Sequence, residues 1–278
     1  MLGAIAGDII GSIYENVRTK KKDFRLFTPI SIYTDDTVLT VAVADAILSG
    51  KDYGRTIKSY ARRHPLRGYG PKFIIWMLSP SQRAYNSLGN GSAMRVSPVA
   101  HAFNTEEEML DQARKCAECT HNHPEGIKGA QAIAHAIFMA RNHASKRDIR
   151  DTISERYGYD LSRRIDDLRP TYQINLTCPG SVPEAIIAFL ESTDFEDCIR
   201  NAVSLGGDAD TQAAIAGAIA EPFYGRIPEH ILQGISRRLN RRFKYTIIMF
   251  YEKFGTKEMV EQSLSLIRKS EDKPINNK

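Results

Sequence analysis

Carboxylates come in two tight groups in this chain, and each group stands immediately before an apolar run of helical length. The first is Tyr33-Thr34-Asp35-Asp36-Thr37, which leads into VLTVAVADAILS. The second is Gly206-Gly207-Asp208-Ala209-Asp210-Thr211, which leads into QAAIAGAIA. One acid at such a place is ordinary capping, because Asp and Thr are preferred N-caps and negative charge suits the positive end of a helix dipole. Two acids, twice, exceed what capping requires. If the two helices pack side by side, four carboxylates converge, and carboxylates ~4–6 Å apart raise one another's pKa. A hard divalent cation among them is the simplest relief. The ligand set on offer is Thr34, Asp35, Asp36, Asp208, Asp210 and Thr211, all oxygen donors, which suits Mg²⁺, with Mn²⁺ or Ca²⁺ as alternatives, and argues against zinc. Six oxygen groups are more than one Mg²⁺ takes while keeping its waters, so two ions bridged by shared Asp are expected.

Three further segments carry chemistry. Glu15 follows Asp8 by seven residues, which places both on one face of a helix. A half-buried Glu there is a candidate general base, since burial raises its pKa toward working pH; the competing reading is a surface Glu at a helix end. Ser87-Leu88-Gly89-Asn90-Gly91-Ser92 is a glycine-rich turn in which Gly and Asn tolerate positive φ, so that successive amides can form an anion nest fit for phosphate oxygens. A plain surface turn is the alternative. Cys116-Ala117-Glu118-Cys119-Thr120-His121-Asn122-His123 holds one C-x-x-C and an H-x-H, with no second pair at zinc-finger spacing. Its cysteines read as helix core and its histidines as loop residues. Tyr69, Phe73 and Trp76 could stack on a base, although helical core is the commoner use of such spacing.

The elements that must position these groups read as helices. Residues 3–15 carry Gly3, Gly7 and Gly11 four apart, a flat ridge on which another backbone can lie close. Residues 37–49 run to Gly50, a C′ glycine, and residues 124–142 open with Pro124 in the first turn. Residues 105–118, 145–157, 183–191, 194–204, 210–220, 228–239 and 256–269 follow the same period, and 162–178 reads as irregular. Period-two alternation is scarce and no Ser/Gly-rich linker divides the chain, so the expectation is an all-α fold in a single domain spanning residues 1–278.

Composition sets the outer limits. The chain has 278 residues, 42% hydrophobic and 26% charged, the profile of a globular protein rather than a disordered one. The net charge of +5 suits an anionic ligand but falls short of a nucleic-acid footprint. The basic runs Arg18–Arg25 and Arg237–Lys244 read as solvated faces or as a patch for an anionic partner, and they lack the interleaved aromatics of a single-strand platform. Four cysteines are too few for a disulfide framework, Asp8 interrupts the apolar start, and no stretch reaches 18 apolar residues. A cytoplasmic protein with no membrane segment is expected. G-x-S-x-G, H-E-x-x-H and Walker A motifs do not occur.

Taken in order, GAIAGDIIGSIYE, YTDDT, GNGSAMRVSP, THNHPEGIKGAQA and GGDADT resemble the ADP-ribosylglycohydrolase family over residues 1 to about 225, and GSVPEAIIAFLES matches as well. The resemblance implies a dinuclear magnesium centre and hydrolysis of the bond between the ribose C1″ of ADP-ribose and an acceptor. Thr34, Asp35, Asp36 and Asp210 would hold one ion, and Asp36, Asp208, Asp210 and Thr211 the other. Glu15 would be the acid/base or water-activating group, with Asp35 and Asp36 completing the catalytic set. Ser87, Gly89, Asn90 and Gly91 would hold the diphosphate, and His123 would contact substrate near the metals. Leu88 stands where relatives often carry an aromatic. The leading expectation is therefore a magnesium-dependent hydrolase of mono-ADP-ribosylated protein side chains that releases ADP-ribose. The alternatives are hydrolysis of ADP-ribosylated nucleic acid or small conjugates, and a non-catalytic ADP-ribose-binding module.

Overall fold

The computed structural model of the protein describes residues 1–267. They fold as helices α1 (Leu2–Gly11), α2 (Asp35–Ser49), α3 (Tyr53–Arg63), α4 (Pro71–Leu78), α5 (Gly91–Met94), α6 (Ser97–Ala102), α7 (Glu106–Glu118), α8 (Pro124–Arg141), α9 (Lys146–Tyr157), α10 (Ile165–Leu168), α11 (Cys178–Leu190), α12 (Phe195–Ser204), α13 (Ala209–Tyr224), α14 (Glu229–Ser236), α15 (Arg241–Phe254) and α16 (Lys257–Ser265). No strand occurs among the described residues, only a single antiparallel bridge between Gly89 and Thr177. The all-α expectation is what the structure shows. Among the described residues no helix is long and apolar enough to cross a membrane.

The centre of the fold is the antiparallel pair α1 and α13. Both are predominantly apolar and both are buried along nearly their whole length. A helix of that kind can only be a core helix. The glycine ridge of α1 is what lets them touch backbone to backbone. A Cβ added at Gly3 would strike the Gly217 carbonyl, one at Gly7 the Ala213 carbonyl, and one at Gly11 would lie 2.5 Å from the Ala209 oxygen. This register carries the C-terminal end of α1 to the N-terminal end of α13, where the second acidic group sits. At the far end of the pair, Glu221 accepts hydrogen bonds from the Met1 amino group (2.5 Å) and the Gly3 amide (2.8 Å).

The buried helix α2 enters beside this pair, tied to it by Asp8. The Asp8 carboxylate accepts from the Thr34 amide (3.0 Å), the Thr34 hydroxyl (2.7 Å), the Thr37 amide (3.0 Å) and the Thr37 hydroxyl. Four donors on one fully buried carboxylate fix the first turn of α2 against α1, and so set the first acidic group opposite the second. Gly50 ends α2 in the left-handed conformation (φ 62°), as its place after the run suggests.

Several boundaries differ from the sequence expectation. The first helix stops at Gly11 instead of running to residue 15, because its last turn already abuts the backbone of Ala209 and Asp210 and the chain must bend away. Glu15 therefore sits in the following turn, and the inference that it shares a helix face with Asp8 does not hold. The helix expected at 183–191 begins at Cys178, with Pro179 in its first turn, where a missing N–H costs nothing. The expected 228–239 helix breaks after Ser236, and α15 follows it. Helices α3, α5, α6 and α15 were not anticipated, whereas Phe73 and Trp76 lie buried in α4, the helical-core use of that spacing. Within 162–178 only α10 is regular. The last residues of the 256–269 expectation lie outside the described residues. The basic runs are partly spent inside the fold. The Lys20 ammonium donates to the carbonyls of Leu205 (2.5 Å) and Tyr172 (2.8 Å), and Arg238 to those of Ser31 (2.9 Å) and Thr28 (2.7 Å).

Candidate active site

A cavity of about 500 Å³ opens where α1, α2, α5 and α13 meet. Its floor is acidic: Glu15, Asp35, Asp36, Asp208 and Asp210, with Thr211, all line it. The two groups, with Asp35 and Asp208 173 positions apart in sequence, are thus one site. Carboxylate oxygens of Asp8, Asp36 and Asp210 lie within 4.8 Å of one another, as do those of Glu15, Asp208 and Asp210. Asp210 belongs to both sets and joins them.

The electrostatics of this floor are unfavourable for the protein by itself. Burial pushes the Asp35, Asp36 and Asp210 carboxyls well above the usual carboxylate range, and mutual repulsion adds to it, from Asp8 for Asp35, from Asp210 for Asp36 and from Asp208 for Asp210. Burial likewise raises Asp208, against the hydrogen bond it accepts from Asn90. Asp36 Oδ1 is buried and has no hydrogen-bond partner among the described residues, while Oδ2 is approached by the hydroxyls of Thr211 (3.3 Å) and Thr34 (3.4 Å). A buried carboxylate oxygen with no donor is a costly arrangement in an otherwise well-bonded core. The residues present fit a hard cation: converging oxygen donors of high negative charge, one of them a buried oxygen with no hydrogen-bond partner among the described residues. Asp8 differs from its neighbours, since both its oxygens are taken up by Thr34 and Thr37. It anchors the site more than it offers ligand atoms. Its part in the cluster was not foreseen, although Asp within an apolar helix was the available signal.

Glu15 is half-buried at the edge of the cavity. Burial first, then the charges of Asp208 and Asp8, raise its carboxyl above the ordinary range. One of its carboxylate oxygens lies within 4.8 Å of oxygens of Asp208 and Asp210.

The opposite wall is the glycine-rich turn, with Ser87, Gly89, Asn90 and Gly91 all lining the cavity. The turn is not built as the sequence suggested. Neither Gly89 nor Gly91 has positive φ, and Asn90 is in the right-handed region (φ −74°). The glycines are there for room: a Cβ at Gly91 would lie 3.2 Å from the His121 Nε2, and one at Gly89 3.5 Å from it. Several amides of the turn are already engaged, Asn90 with the Leu176 carbonyl (2.9 Å) and Gly89 with the Ser87 hydroxyl (3.1 Å). Those of Leu88 and Gly91 have no partner among the described residues. The Asn90 side chain crosses to the floor and donates to Asp208 Oδ2 (2.6 Å), which ties the two walls together. Tyr85, Phe73, Lys72 and Leu176 complete the mouth, and Phe73 stacks on Tyr69 with centroids 5.0 Å apart.

His123 is not brought to the cavity. Pro124 opens α8, so His123 is the N-cap, and its Nδ1 accepts from the Glu125 amide (3.1 Å). The histidine that lines the cavity is His121, two residues earlier. Thr34 sits beneath the floor, hydrogen-bonded to Asp8 and facing Asp36. Cys116 and Cys119 lie around the buried Arg95 guanidinium.

A family model described as ADP-ribosylglycohydrolase matches residues 1–258 of the chain. Human ADP-ribosylhydrolase ARH3 is 26% identical over 313 aligned positions, covering 82% of this chain and 86% of the relative. ADP-ribosylarginine hydrolase Tri1 of Pseudomonas putida is 27% identical, covering 81% and 69%. A solved structure, that of an ADP-ribosylglycohydrolase-related protein complex, matches with a TM-score of 0.68 at 26% identity over 95% of this chain and 94% of the other. With a helical fold, an acidic floor and a family match that spans nearly all the described residues, the chain belongs to the ADP-ribosylglycohydrolase family, enzymes that hydrolyse glycosyl bonds.

Proposed function

We propose that this protein removes ADP-ribose from mono-ADP-ribosylated protein side chains, as a magnesium-dependent hydrolase acting in the cytoplasm. The observation that carries the reading is the acidic floor with its partnerless Asp36 oxygen, facing a glycine-lined wall across one cavity large enough for a nucleotide sugar. Thr34, Asp35, Asp36 and Asp210 would hold one Mg²⁺, and Asp36, Asp208, Asp210 and Thr211 the second. When bound, such ions supply positive charge that grips the 2″ and 3″ hydroxyls of the distal ribose. Mn²⁺ and Ca²⁺ are chemically compatible with the same donors.

The chain's own residues then divide the remaining tasks. The glycine-rich turn offers the Leu88 and Gly91 amides to the diphosphate, and Ser87, Gly89 and Asn90 shape the wall around it. Cleavage passes through an oxocarbenium-like state at C1″. As the C1″–acceptor bond breaks, its electron pair leaves with the acceptor, and the oxygen of a water forms the new bond to C1″. Glu15 takes the proton released by that water and returns it toward the departing group. A raised Glu15 pKa suits this exchange, because proton transfer is most effective when the pKa lies near working pH. Asp8 holds the Thr34–Thr37 turn still, so that the floor keeps its shape when charge enters it.

The test is release of ADP-ribose from Arg-linked, Ser-linked and base-linked substrates by the wild type, Asp35→Ala and Asp210→Ala. The proposal expects turnover of a protein-linked substrate by the wild type and its loss in both variants. Full release by either variant would reject the acidic floor as the catalytic centre. Tight ADP-ribose binding without turnover, indifferent to Glu15→Gln, would make the protein a binding module instead.

A further inference from the structure

A second cavity, of about 560 Å³, lies between the C-terminal end of α2, helix α3 and the start of α15, and shares no lining residue with the first. Its charged lining sets Lys51, Arg55, Arg63 and Arg242 against Asp45 and Asp52, an excess of +2. Packing brings these cations together. Phe243 is fully buried and stacks on Tyr60 with centroids 6.2 Å apart, which seats the first turn of α15 on α3. The guanidinium carbons of Arg63 and Arg242 then lie 4.5 Å and 5.7 Å from the centroid of the same Tyr60 ring. They are at most about 10 Å apart, one Debye length at 0.1 M salt, so their repulsion is incompletely screened.

Little inside the protein answers this charge. Among the described residues Arg114, Arg147, Arg156, Arg163, Arg169 and Arg200 have carboxylate partners, whereas Lys51, Arg55, Arg63 and Arg242 have none. The one side-chain hydrogen bond these four make among the described residues runs from Arg63 Nε to the Ser59 carbonyl (3.1 Å). Asp52 is occupied as the N-cap of α3, where its Oδ1 accepts from the Arg55 amide (2.8 Å). The contrast is Arg238, from the same basic run as Arg242, whose guanidinium is spent on the carbonyls of Ser31, Thr28 and Gly234.

We propose that this cavity is a binding site for a compact phosphate dianion, held between Arg63 and Arg242 with Arg55 and Lys51 beside them. The charge selects the class. A phosphate group brings about −1.5 to −2 at neutral pH and three strong acceptor oxygens, which matches the excess of +2, whereas a single carboxylate brings half as much. Guanidinium forks suit phosphate oxygens in shape as well, because they donate in parallel pairs. A nucleobase finds no platform: Tyr60 is the one aromatic in the lining, is 1% exposed, and has the guanidiniums over its ring. Recognition therefore rests on the phosphate alone, either free phosphate or pyrophosphate or the phosphomonoester of a phosphorylated protein side chain. The site is separate from the acidic floor, and the proposal does not depend on what the first cavity binds.

The experiment has two readouts, both in Mg²⁺-free buffer at constant ionic strength. Calorimetric affinities for pyrophosphate and inorganic phosphate are compared across the wild type, Arg242→Gln, the double variant Arg63→Gln/Arg242→Gln and Arg241→Gln, each with its denaturation midpoint. Arg241 is exposed, belongs to the same basic run and does not line the cavity, so it controls for diffuse surface charge. Each cavity arginine should be worth about tenfold in affinity, the size of one charge-assisted hydrogen bond, and Arg241→Gln should stay close to the wild type. Phosphate held at the glycine-rich turn would also register as heat, so the second readout is site-specific. The side-chain Nε–H signals of Arg63 and Arg242, assigned by their disappearance in the variants, should shift as pyrophosphate is added. A phosphoserine peptide and its unphosphorylated twin then separate the sources. A phosphopeptide that binds more tightly than inorganic phosphate makes a phosphorylated protein the partner, and the reverse order makes it free phosphate; either result supports the site. Arginine signals unmoved by millimolar pyrophosphate, wild-type affinity in the folded double variant, or an equal loss in Arg241→Gln would overturn it. The Arg242 side chain makes no hydrogen bond among the described residues, so Arg242→Gln should fold and keep the test decisive if the double variant does not.

Discussion

Replacing Gly11 by Ala probes how the fold builds the site. The added Cβ would lie 2.5 Å from both the Ala209 oxygen and the Asp210 Cα and 2.6 Å from the Asp210 nitrogen. All three are backbone atoms, so no side chain can swing aside. Ordinary contact begins near 3.4 Å, so the end of α1 and the start of α13 must part by about 1 Å. Overpacking of this kind costs about 1–3 kcal/mol. The displaced atoms, however, belong to Asp210, the residue shared by both acidic groups. A misplacement of about 1 Å at a catalytic group can reduce turnover by about 100-fold. Gly3→Ala is the comparison: it meets the Gly217 carbonyl on the same helix pair, about 12 Å along α1 from Gly11. Urea denaturation and ADP-ribose release would be measured for both. The expected result is a similar loss of stability in the two variants, with turnover collapsing only in Gly11→Ala. A Gly11→Ala protein that is destabilised yet turns over like the wild type would refute the argument that backbone contact between α1 and α13 sets the position of Asp210.

Other perturbations test separate parts of the account. Asp8→Asn sets an amide hydrogen against donors from Thr34 or Thr37, and should cost about 2–3 kcal/mol of stability in denaturant titration, with weakened cation binding; a neutral outcome would show that α2 is held in place by other contacts. Stability in chelator should rise as pH falls from neutral, because Asp35, Asp36 and Asp210 have folded pKa values raised above their unfolded ones and accept protons more readily in the folded state. The gain should develop between those raised values and the ordinary carboxylate range, and saturating Mg²⁺ should flatten it; a cation-free protein that only weakens over that span would contradict the convergence of charge. The acidic limb of the kcat/KM profile should lie above the usual carboxylate range, since burial raises Glu15 and activity requires its ionised form, and Glu15→Gln should lose turnover while keeping ADP-ribose affinity.

What could be read from the chain follows from how local each signal was. The acidic groups were legible because doubled carboxylates before an apolar run have no adequate structural explanation, and the structure brings Asp35, Asp36, Asp208 and Asp210 to one cavity. The Gly3, Gly7 and Gly11 spacing announced a close backbone partner, though not that the partner was α13. The end of α1 was misplaced because what stops it is not a residue in the helix but the backbone of Ala209, 198 positions later. The glycine-rich turn was located correctly and explained wrongly: its glycines make space for His121 instead of adopting left-handed φ. Between His121 and His123 the deciding signal was present, since a proline at the first helical position makes the preceding residue a cap, and a capping side chain turns back on its own helix. Helix α3 was missed although it has a clear buried face, because that face is only Ile57, Tyr60 and Ala61 among basic and small residues.

The most direct measurement is release of ADP-ribose from a mono-ADP-ribosylated protein by chelated enzyme, before and after Mg²⁺ is returned. The account predicts that chelation abolishes release, that Mg²⁺ restores it in the wild type, and that no concentration of Mg²⁺ restores it in Asp36→Ala. Undiminished release in the presence of chelator would contradict it.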